Sequence, residues 1–265
     1  MIGAAIEVRA AEKTYPNGTR ALRPVDLRIG EGEFVTLLGP SGCGKSTLLK
    51  MIAGLVAPSA GEIRLWGGSL DAAAHGGHRV AFVFQEPTLM PWANVMRNVR
   101  LPLDLGGVPS RAAEDRSREA LELVGLARFG ANYPRELSGG MQMRVSIARA
   151  LVTEPTLLLM DEPFGALDEI TRNRLDGDLL ALWGRKRLTI AFVTHSIFEA
   201  VYLSSRVVVM AARPGRVVDE ITIDAPYPRG ADFRVSPAFS LHAKRLQDAL
   251  ERASAPADAG DGEPA

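Results

Sequence analysis

The sequence lacks several features that would mark whole classes of protein. One cysteine among 265 residues leaves no partner for an intrachain disulfide and no cysteine cluster for a metal. The 31 basic and 31 acidic side chains give a formal net charge of zero, which offers no electrostatic support for binding nucleic acid or an anionic membrane. No apolar run approaches the roughly 20 residues of a membrane-spanning helix. We therefore expect neither a nucleic-acid partner nor a segment that crosses a bilayer.

The two ends of the sequence carry further compositional signals. Charged residues at Glu7, Arg9, Glu12 and Lys13 are not compatible with a secretory signal, so none is expected. Residues 254–265 are only Ser, Ala, Pro, Gly and acidic residues, which predicts a disordered tail. The whole sequence is 46% hydrophobic and 23% charged, which is typical of a globular domain.

What the sequence does contain is a glycine-rich loop of the form G-x-x-x-x-G-K-[ST]. The apolar run 33–38 predicts a buried strand before it, and apolar residues at helical spacing over 46–55 predict a helix after it. Strand, loop and helix in this order bind phosphate, because backbone N–H groups converge there and the helix dipole favours an anion. The predicted phosphate-binding residues are Gly39, Pro40, Ser41, Gly42, Cys43, Gly44, Lys45, Ser46 and Thr47.

Three side chains of this loop bear on the chemistry. Lys45 can reach the β- and γ-phosphates of a nucleotide, and the Ser46 hydroxyl can ligate Mg²⁺. Cys43 is either a thiol close to the phosphates or a small neutral spacer, and we favour the spacer.

A pair of carboxylates follows the apolar run 157–160, which predicts a buried strand ending in Asp161 and Glu162. Ligands of open α/β sheets bind at the carboxyl ends of the strands. Asp161 is therefore predicted to hold Mg²⁺ through its water shell, and Glu162 to orient the water that attacks the γ-phosphate. Without the phosphate loop, the pair would be read as a solvated turn before Pro163.

A second glycine motif, LSGG at residues 137–140, separates this sequence from kinases and small GTPases that have only the loop and the acidic strand end. With it, the sequence resembles the ATP-binding subunits of ABC transporters from residue 6 to about residue 218. The resemblance rests on Walker A (39–47), a Q-loop at Gln85, the LSGG signature, Walker B (157–161) followed by Glu162, a D-loop (165–168) and a switch histidine, His195.

The resemblance implies an ATPase that works as two copies paired head to tail, with ATP and Mg²⁺ as cofactors. Each ATP lies between Walker A of one copy and the signature of the other. Ser138, Gly139 and Gly140 suit this role, because the signature precedes a helical pattern and its serine hydroxyl and amides can face the γ-phosphate. ATP thus joins the copies, and its hydrolysis releases them.

The resemblance also implies roles for single residues. Glu162, His195 and Gln85 are the expected catalytic residues, and Ser46, Gln85 and Asp161 are the expected Mg²⁺ ligands. Tyr15 matches the position whose ring stacks on adenine, although an aromatic beside the turn 16–18 fits simple packing as well. Without the order of the motifs, His195 after its apolar strand would be read as a structural residue.

The predicted fold class is α/β: a P-loop NTPase of the ABC cassette type, with a mixed core sheet, an antiparallel β subdomain and an inserted helical subdomain. Residues 1–253 are expected to form a single ABC ATPase domain. Within it, 1–84 and 152–222 make the catalytic core, 85–151 the helical subdomain with the signature, and 223–253 a C-terminal helical extension. The disordered tail 254–265 follows.

Flanking segments at 84–92, 98–99, 164–168 and 212–216 resemble the nitrate/sulfonate/taurine importer branch of the family. That branch supplies ATPase subunits to bacterial systems with two membrane permease subunits and a periplasmic solute-binding protein, which contacts the ATPase only indirectly. The implied location is peripheral, at the cytoplasmic face of the inner membrane. Residues 89–92 are the expected docking point of the permease, though a packed loop cap is equally compatible. The sequence leaves two possibilities for the transported solute. It is either nitrate, a sulfonate or taurine, or it is a pyrimidine-type precursor or another small organic anion.

Two other classes also combine some of these motifs. DNA-repair and chromosome proteins of the ABC type carry a coiled coil or zinc-binding cysteines between Walker A and the signature, which are lacking here. A small-metabolite kinase would need no signature.

Two residues depart from the family pattern. Ser196 replaces the usual Asp and can still cap a helix from Ile197, and Met143 replaces a Gln.

Overall fold

A computed structural model describes residues 3–165, 167–212 and 214–254. Its short apolar runs form strands and its amphipathic runs form helices. In these residues the strands are β1 (Ala4–Thr14), β2 (Arg20–Gly30), β3 (Phe34–Leu38), β4 (Ala60–Leu65), β5 (Val80–Val83), β6 (Leu157–Asp161), β7 (Thr189–Thr194), β8 (Arg206–Ala211) and β9 (Arg216–Thr222). The α-helices are α1 (Lys45–Ile52), α2 (Leu70–His75), α3 (Val95–Leu105), α4 (Ser110–Leu123), α5 (Gly139–Leu151), α6 (Glu169–Lys186), α7 (Ile197–Leu203) and α8 (Pro237–Ser254).

A six-stranded mixed sheet forms the centre of the fold, in the order β5-β6-β7-β3-β8-β9. All neighbouring pairs are parallel except β8 and β9. Side chains of β3 alternate between two apolar clusters: Phe34 and Leu38 lie in one, and Val35 and Leu37 in the other. The sheet is therefore buried on both faces, as its apolar strands predict. Its parallel strands bring the residues after β3, β6 and β7 to one edge.

A separate antiparallel sheet has the order β2-β1-β4. Helix α1 lies between it and the mixed sheet, because its buried Leu48, Leu49 and Ile52 share one apolar cluster with Val8 of β1 and Val35 of β3. The glycine-rich loop is thus fixed between two sheets.

Helices α3, α4 and α5 follow one another between β5 and β6. Their buried residues include Val99, Leu121 and Val145, which belong to the cluster on the other face of the mixed sheet. Met143, at the position where the family usually has Gln, is buried in this cluster. The structure therefore has the mixed sheet, antiparallel sheet and helical insertion of the predicted fold class.

The chain after β9 packs back onto the mixed sheet. A 3-10 helix covers Ala231–Val235, and α8 follows with Phe239, Leu246 and Ala249 buried. These side chains join the same apolar cluster as the helical insertion. None of the helices in the described ranges is long and apolar enough to span a membrane.

Two sequence-based boundaries were wrong. The helix predicted over 46–55 ends at Ile52, because Gly54 has a φ of 70° that breaks the helix, and Leu55 is 55% exposed. The predicted tail begins one residue too early, since Ser254 is the last residue of α8. The rest of that tail, and Ala166 of the D-loop, lie outside the described residues.

Candidate functional site

Two glycines determine the path of the loop between β3 and α1. A Cβ on Gly39 would lie 2.5 Å from the carbonyl oxygen of Met210 and 2.8 Å from Sγ of Cys43, so no larger residue fits. Gly44 has a φ of 86°, and a Cβ there would lie 2.5 Å from Cδ2 of Leu22. Both positions require glycine, one for close approach and one for its backbone conformation as well.

Lys45, the first residue of α1, places its ammonium inside the loop. Its Nζ donates to the carbonyl oxygens of Gly39 at 2.8 Å and Pro40 at 3.0 Å, and the residue is 4% exposed. Oε1 of Glu162 lies 3.9 Å from the same nitrogen. A buried cation in a loop of this shape is suited to an anion with several oxygens.

Cys43 is fully buried beneath the loop. Burial raises the pKa of its thiol, which the positive charge of Lys45 opposes only in part. Its backbone N–H donates to the carbonyl oxygen of Pro40 at 3.3 Å. In this position the side chain packs as a neutral group, which fits the spacer interpretation.

Ser46 and Asp161 meet at the edge of the mixed sheet. The Ser46 hydroxyl donates to Oδ1 of Asp161 at 2.7 Å, although 115 residues separate the two in sequence. Asp161 ends β6 and is 3% exposed. Burial raises the pKa of its carboxyl group, against the Ser46 hydrogen bond and the charge of Lys50, which lower it.

Glu162 follows directly and adopts a left-handed backbone conformation, with a φ of 45°. Residues with a Cβ adopt this conformation rarely, and often at functional sites. Its N–H donates to the carbonyl of Val193 in β7 at 3.0 Å, and its Oε2 lies 3.0 Å from Nδ1 of His195. His195 follows the end of β7 and is exposed. The parallel pairing of β6 and β7 thus brings the carboxylate and the imidazole together.

Lys45, Ser46 and Glu162 border a cleft of about 540 Å³. Gln85, two residues past β5, is exposed and lies on its wall with Glu162. The lining residues are Thr19, Arg20, Ala21, Ser41, Gly42, Gly44, Lys45, Ser46, Thr47, Gln85, Glu162, Pro214 and Gly215.

Sequence reasoning missed one wall of this cleft, formed by 19–21 and 214–215. The two segments are joined by backbone hydrogen bonds, from the N–H of Arg23 to the carbonyl of Gly215 at 2.8 Å and from the N–H of Gly215 to the carbonyl of Ala21 at 3.1 Å. No local pattern signals a contact across nearly 200 residues. Arg20 in this wall adds a cation that the motifs do not indicate.

Tyr15 lies beside the cleft and is absent from its lining residues. Its hydroxyl is 3.4 Å from Oγ1 of Thr47, and Nζ of Lys13 is 5.5 Å from the ring centroid. The residue is half-buried.

The signature forms the beginning of α5, and the Ser138 side chain caps the helix by accepting from the N–H of Met141 at 3.3 Å. Ser138 and Gly139 are exposed and Gly140 is half-buried. None of the three lines the cleft of the same chain. The structure therefore brings Walker A, Gln85, Asp161, Glu162 and His195 together, and it leaves the signature apart.

The donor set suits Mg²⁺. The Ser46 hydroxyl and the Asp161 carboxylate are hard oxygen donors in direct contact, and Mg²⁺ in nucleotide sites takes few protein ligands besides phosphate and water. In the described ranges, no group of three or more His, Cys, Asp or Glu side chains could hold a metal by itself.

Comparisons with known proteins give a consistent result. The family profile described as ABC transporter matches residues 22–165. An uncharacterised ABC transporter ATP-binding protein of Methanocaldococcus jannaschii is 46% identical over 235 residues, 89% of this chain and 86% of that protein. An aliphatic sulfonates import ATP-binding protein of Bacillus cereus is 42% identical over 250 residues, 93% of this chain and 96% of that protein.

A solved structure extends the likeness to three dimensions. It is a dimeric ATP-binding cassette in a post-hydrolysis state, bound to ADP and Pi. It is 34% identical with a TM-score of 0.74, and the alignment covers 83% of this chain and 100% of that one.

Proposed function

The chain belongs to the ABC transporter family of ATP-hydrolysing cassettes, and we propose that it is the ATPase subunit of a bacterial importer for a small solute. Two copies pair on ATP, and the pair acts on two membrane permease subunits at the cytoplasmic face of the inner membrane. A periplasmic solute-binding protein delivers the solute to the other side.

The observation that carries this proposal is the placement of Glu162. Its two carboxylate oxygens face Lys45 at 3.9 Å and His195 at 3.0 Å, at the end of the phosphate-binding loop. Glu162 accepts a proton from a water molecule as the oxygen of that water attacks the γ-phosphorus. The bond between this phosphorus and the bridging oxygen breaks, and ADP leaves with the electron pair. Lys45 stabilises the charge on the phosphate oxygens, and His195 keeps the carboxylate oriented.

Bound Mg²⁺ would neutralise charge on the β- and γ-phosphates. Ser46 and Asp161 would hold it, and Gln85 on the cleft wall would supply a third contact. Gln85 is exposed and has a short link to residues 89–92, so it is placed to report the state of the nucleotide to that segment.

The separation of the signature from the cleft supports the pairing of two copies. Ser138 and Gly139 are exposed at the positive end of α5, an arrangement that attracts phosphate. Because they do not reach the cleft of their own chain, the γ-phosphate they contact is one bound by a second copy.

Residues 89–92 support a permease contact. Trp92 is 76% exposed, which is unusual for a large aromatic side chain outside an interface. The segment before it is held firmly: the buried Asn98 exchanges hydrogen bonds with Met90, at 2.7 Å to its N–H and 3.1 Å to its carbonyl. A rigid loop that presents an exposed tryptophan is suited to receiving a helix of another subunit.

We propose an aliphatic sulfonate, taurine or nitrate as the solute, since a relative named as an aliphatic sulfonates import protein aligns with 93% of this chain. A pyrimidine-type precursor or another small organic anion is the alternative. Uptake of each labelled compound by vesicles containing the full transporter distinguishes them.

Glu162→Gln tests the proposal. The variant keeps the size of the side chain and loses its charge, so it should bind ATP, form a stable pair of copies and hydrolyse ATP at least about a hundredfold more slowly. Phosphate release and sedimentation measure the two effects, and vesicles with this variant should take up no solute.

Glu119→Gln, at an exposed position on α4, is the matched control and should behave like the wild type. Near-normal hydrolysis by Glu162→Gln would remove Glu162 from its catalytic role.

A further inference from the structure

The short helix α7 begins at Ile197, immediately after the switch segment 195–196, so His195 lies between the end of β7 and the start of α7. The helix has seven residues, and the Ser196 side chain caps it by accepting from the N–H of Glu199 at 3.3 Å. A helix this short has little stability of its own and takes its position from what packs around it.

The C-terminal end of α7 is held by Arg229, from the segment after β9. One guanidinium nitrogen donates to the carbonyl oxygens of Val201 at 2.9 Å, Tyr202 at 3.0 Å and Ser204 at 2.9 Å. These are carbonyls that a helix end leaves without intrahelical partners. Tyr202 returns a bond, from its hydroxyl to the carbonyl of Arg229 at 2.9 Å.

The outer side of α7 is held by Arg234 and Phe239. The Arg234 guanidinium lies 3.7 Å from the ring centroid of Tyr202 and pairs with the fully buried Asp176 of α6 at 2.6 Å. Near the start of the helix, the Phe239 ring of α8 stacks on Phe198, with centroids 5.9 Å apart. Residues of the C-terminal segment therefore contact α7 along its whole length.

The switch end of α7 is tied to the chain that follows Glu162. Glu199 accepts a hydrogen bond from Thr194, the residue before His195, and pairs with Arg172 of α6 at 3.4 Å. Arg172 also donates to the carbonyl of Leu167 at 2.8 Å. Movement of α7 would thus disturb both sides of the Glu162–His195 contact.

We propose that Arg229, Arg234 and Phe239, in the segment after β9, form a positioning element for the switch histidine, and that Arg234 is its principal positioning residue. Arg234 joins α6 to α7 through Asp176 and Tyr202, and so fixes the angle from which His195 reaches Glu162. The inference rests on the proposed function in assigning His195 to the ATPase site, and it adds a role for the C-terminal segment that the sequence motifs do not indicate.

Arg234→Ala tests the proposal by steady-state kinetics. Because Arg234 lies away from the phosphate loop, the variant should keep the KM for ATP within about twofold and lose roughly tenfold or more in kcat, as small misplacements of catalytic groups do. Arg234→Lys, which keeps a charge for Asp176, should recover part of the loss. Arg252→Ala is the matched control, because Arg252 also ties α8 to the core, by an ion pair to Asp219 of β9 at 3.2 Å.

An NMR measurement on the isolated chain separates this inference from the proposed function. The chain has four histidines, and a His195→Gln spectrum assigns the ring signal of His195. That signal should shift in Arg234→Ala and stay unchanged in Arg252→Ala, whether or not the preparation hydrolyses ATP. If Arg234→Ala does not fold, Arg234→Gln takes its place.

An unchanged His195 signal in a folded Arg234 variant would overturn the proposal, and so would equal losses of kcat in the Arg234 and Arg252 variants. Absence of ATPase activity in the wild-type chain would instead overturn the proposed function. The NMR result would then still test whether Arg234 positions His195.

Discussion

Glu162 combines a strained backbone with a carboxylate that is held on two sides. Its φ of 45° costs about 1–3 kcal/mol, and the surrounding structure must hold it there. Two backbone hydrogen bonds do so, from its N–H to Val193 and from the N–H of Gly165 to its carbonyl at 3.2 Å. The direction of the side chain is therefore set before nucleotide arrives, which is the preorganisation that electrostatic catalysis requires.

Titration of Asp176 should make the free energy of unfolding depend on pH. Burial raises the pKa of its carboxyl group from 3.8 to about 7, and the charge of Glu199 adds to the increase, while Arg234 and Arg172 oppose it. Between these two values the folded chain holds a proton that the unfolded chain has released. The free energy of unfolding should therefore fall as pH rises through this window, by at most about 1.4 kcal/mol per pH unit from this group.

Urea unfolding of the wild type and Asp176→Asn across this pH range measures the effect. The difference in stability, wild type minus variant, should decrease as the pH rises. Asp248→Asn, at a half-buried position on α8 where the carboxylate pairs with Lys244 at 3.1 Å, is the matched loss of one carboxylate. A wild-type minus Asp176→Asn difference that is independent of pH would contradict the raised pKa.

At the scale of elements, the features that the sequence predicted correctly are those that depend only on residues close together in the chain. The strand before the loop, the helix after it and the acidic end of β6 follow from local patterns, and the Ser196 cap of α7 was predicted correctly. The end of α1 was missed because the apolar period continues to Leu55 while Gly54 breaks the helix. The order β6-β7-β3, which places Glu162 beside His195, depends on pairing between distant strands and has no local signal.

The segment 87–92 is an element without regular structure that two helices hold in place. Arg149 of α5 donates to the carbonyls of Pro87 and Thr88, each at 2.9 Å, and Asn98 of α3 holds Met90. Because α5 also carries the signature at its other end, a force on the exposed Trp92 would reach the predicted nucleotide contacts through α5.

Trp92→Ala should therefore leave ATP hydrolysis by the isolated chain within about twofold of the wild type and abolish most solute uptake in vesicles with the permease. The side chain is 76% exposed, so its removal leaves no cavity in the core. Leu241→Ala on α8, where the side chain is 61% exposed, is the matched control and should transport normally. Unchanged uptake by Trp92→Ala would remove residues 89–92 from the permease contact.

At the scale of the whole molecule, the fold divides its catalytic parts between two surfaces. The mixed sheet gathers the phosphate loop, the acidic strand end and the switch histidine at one edge, while the helical insertion carries the signature on an exposed helix end. We propose that one chain holds the parts of two incomplete sites. The sequence indicates each part by its motif, yet only the three-dimensional structure shows that the signature does not line its own chain's cleft.

Mixing two inactive variants tests most directly whether each ATPase site is shared between two copies of the chain. Lys45→Ala should lose ATP affinity and keep an intact signature, whereas Ser138→Arg should bind ATP and block the signature with a bulky charge. Each folded variant alone should hydrolyse ATP at background rate. We predict that activity returns when they are mixed, because a mixed pair contains one complete site. A mixture that stays at background, with both variants folded and Ser138→Arg still binding ATP, would contradict a site shared between two copies.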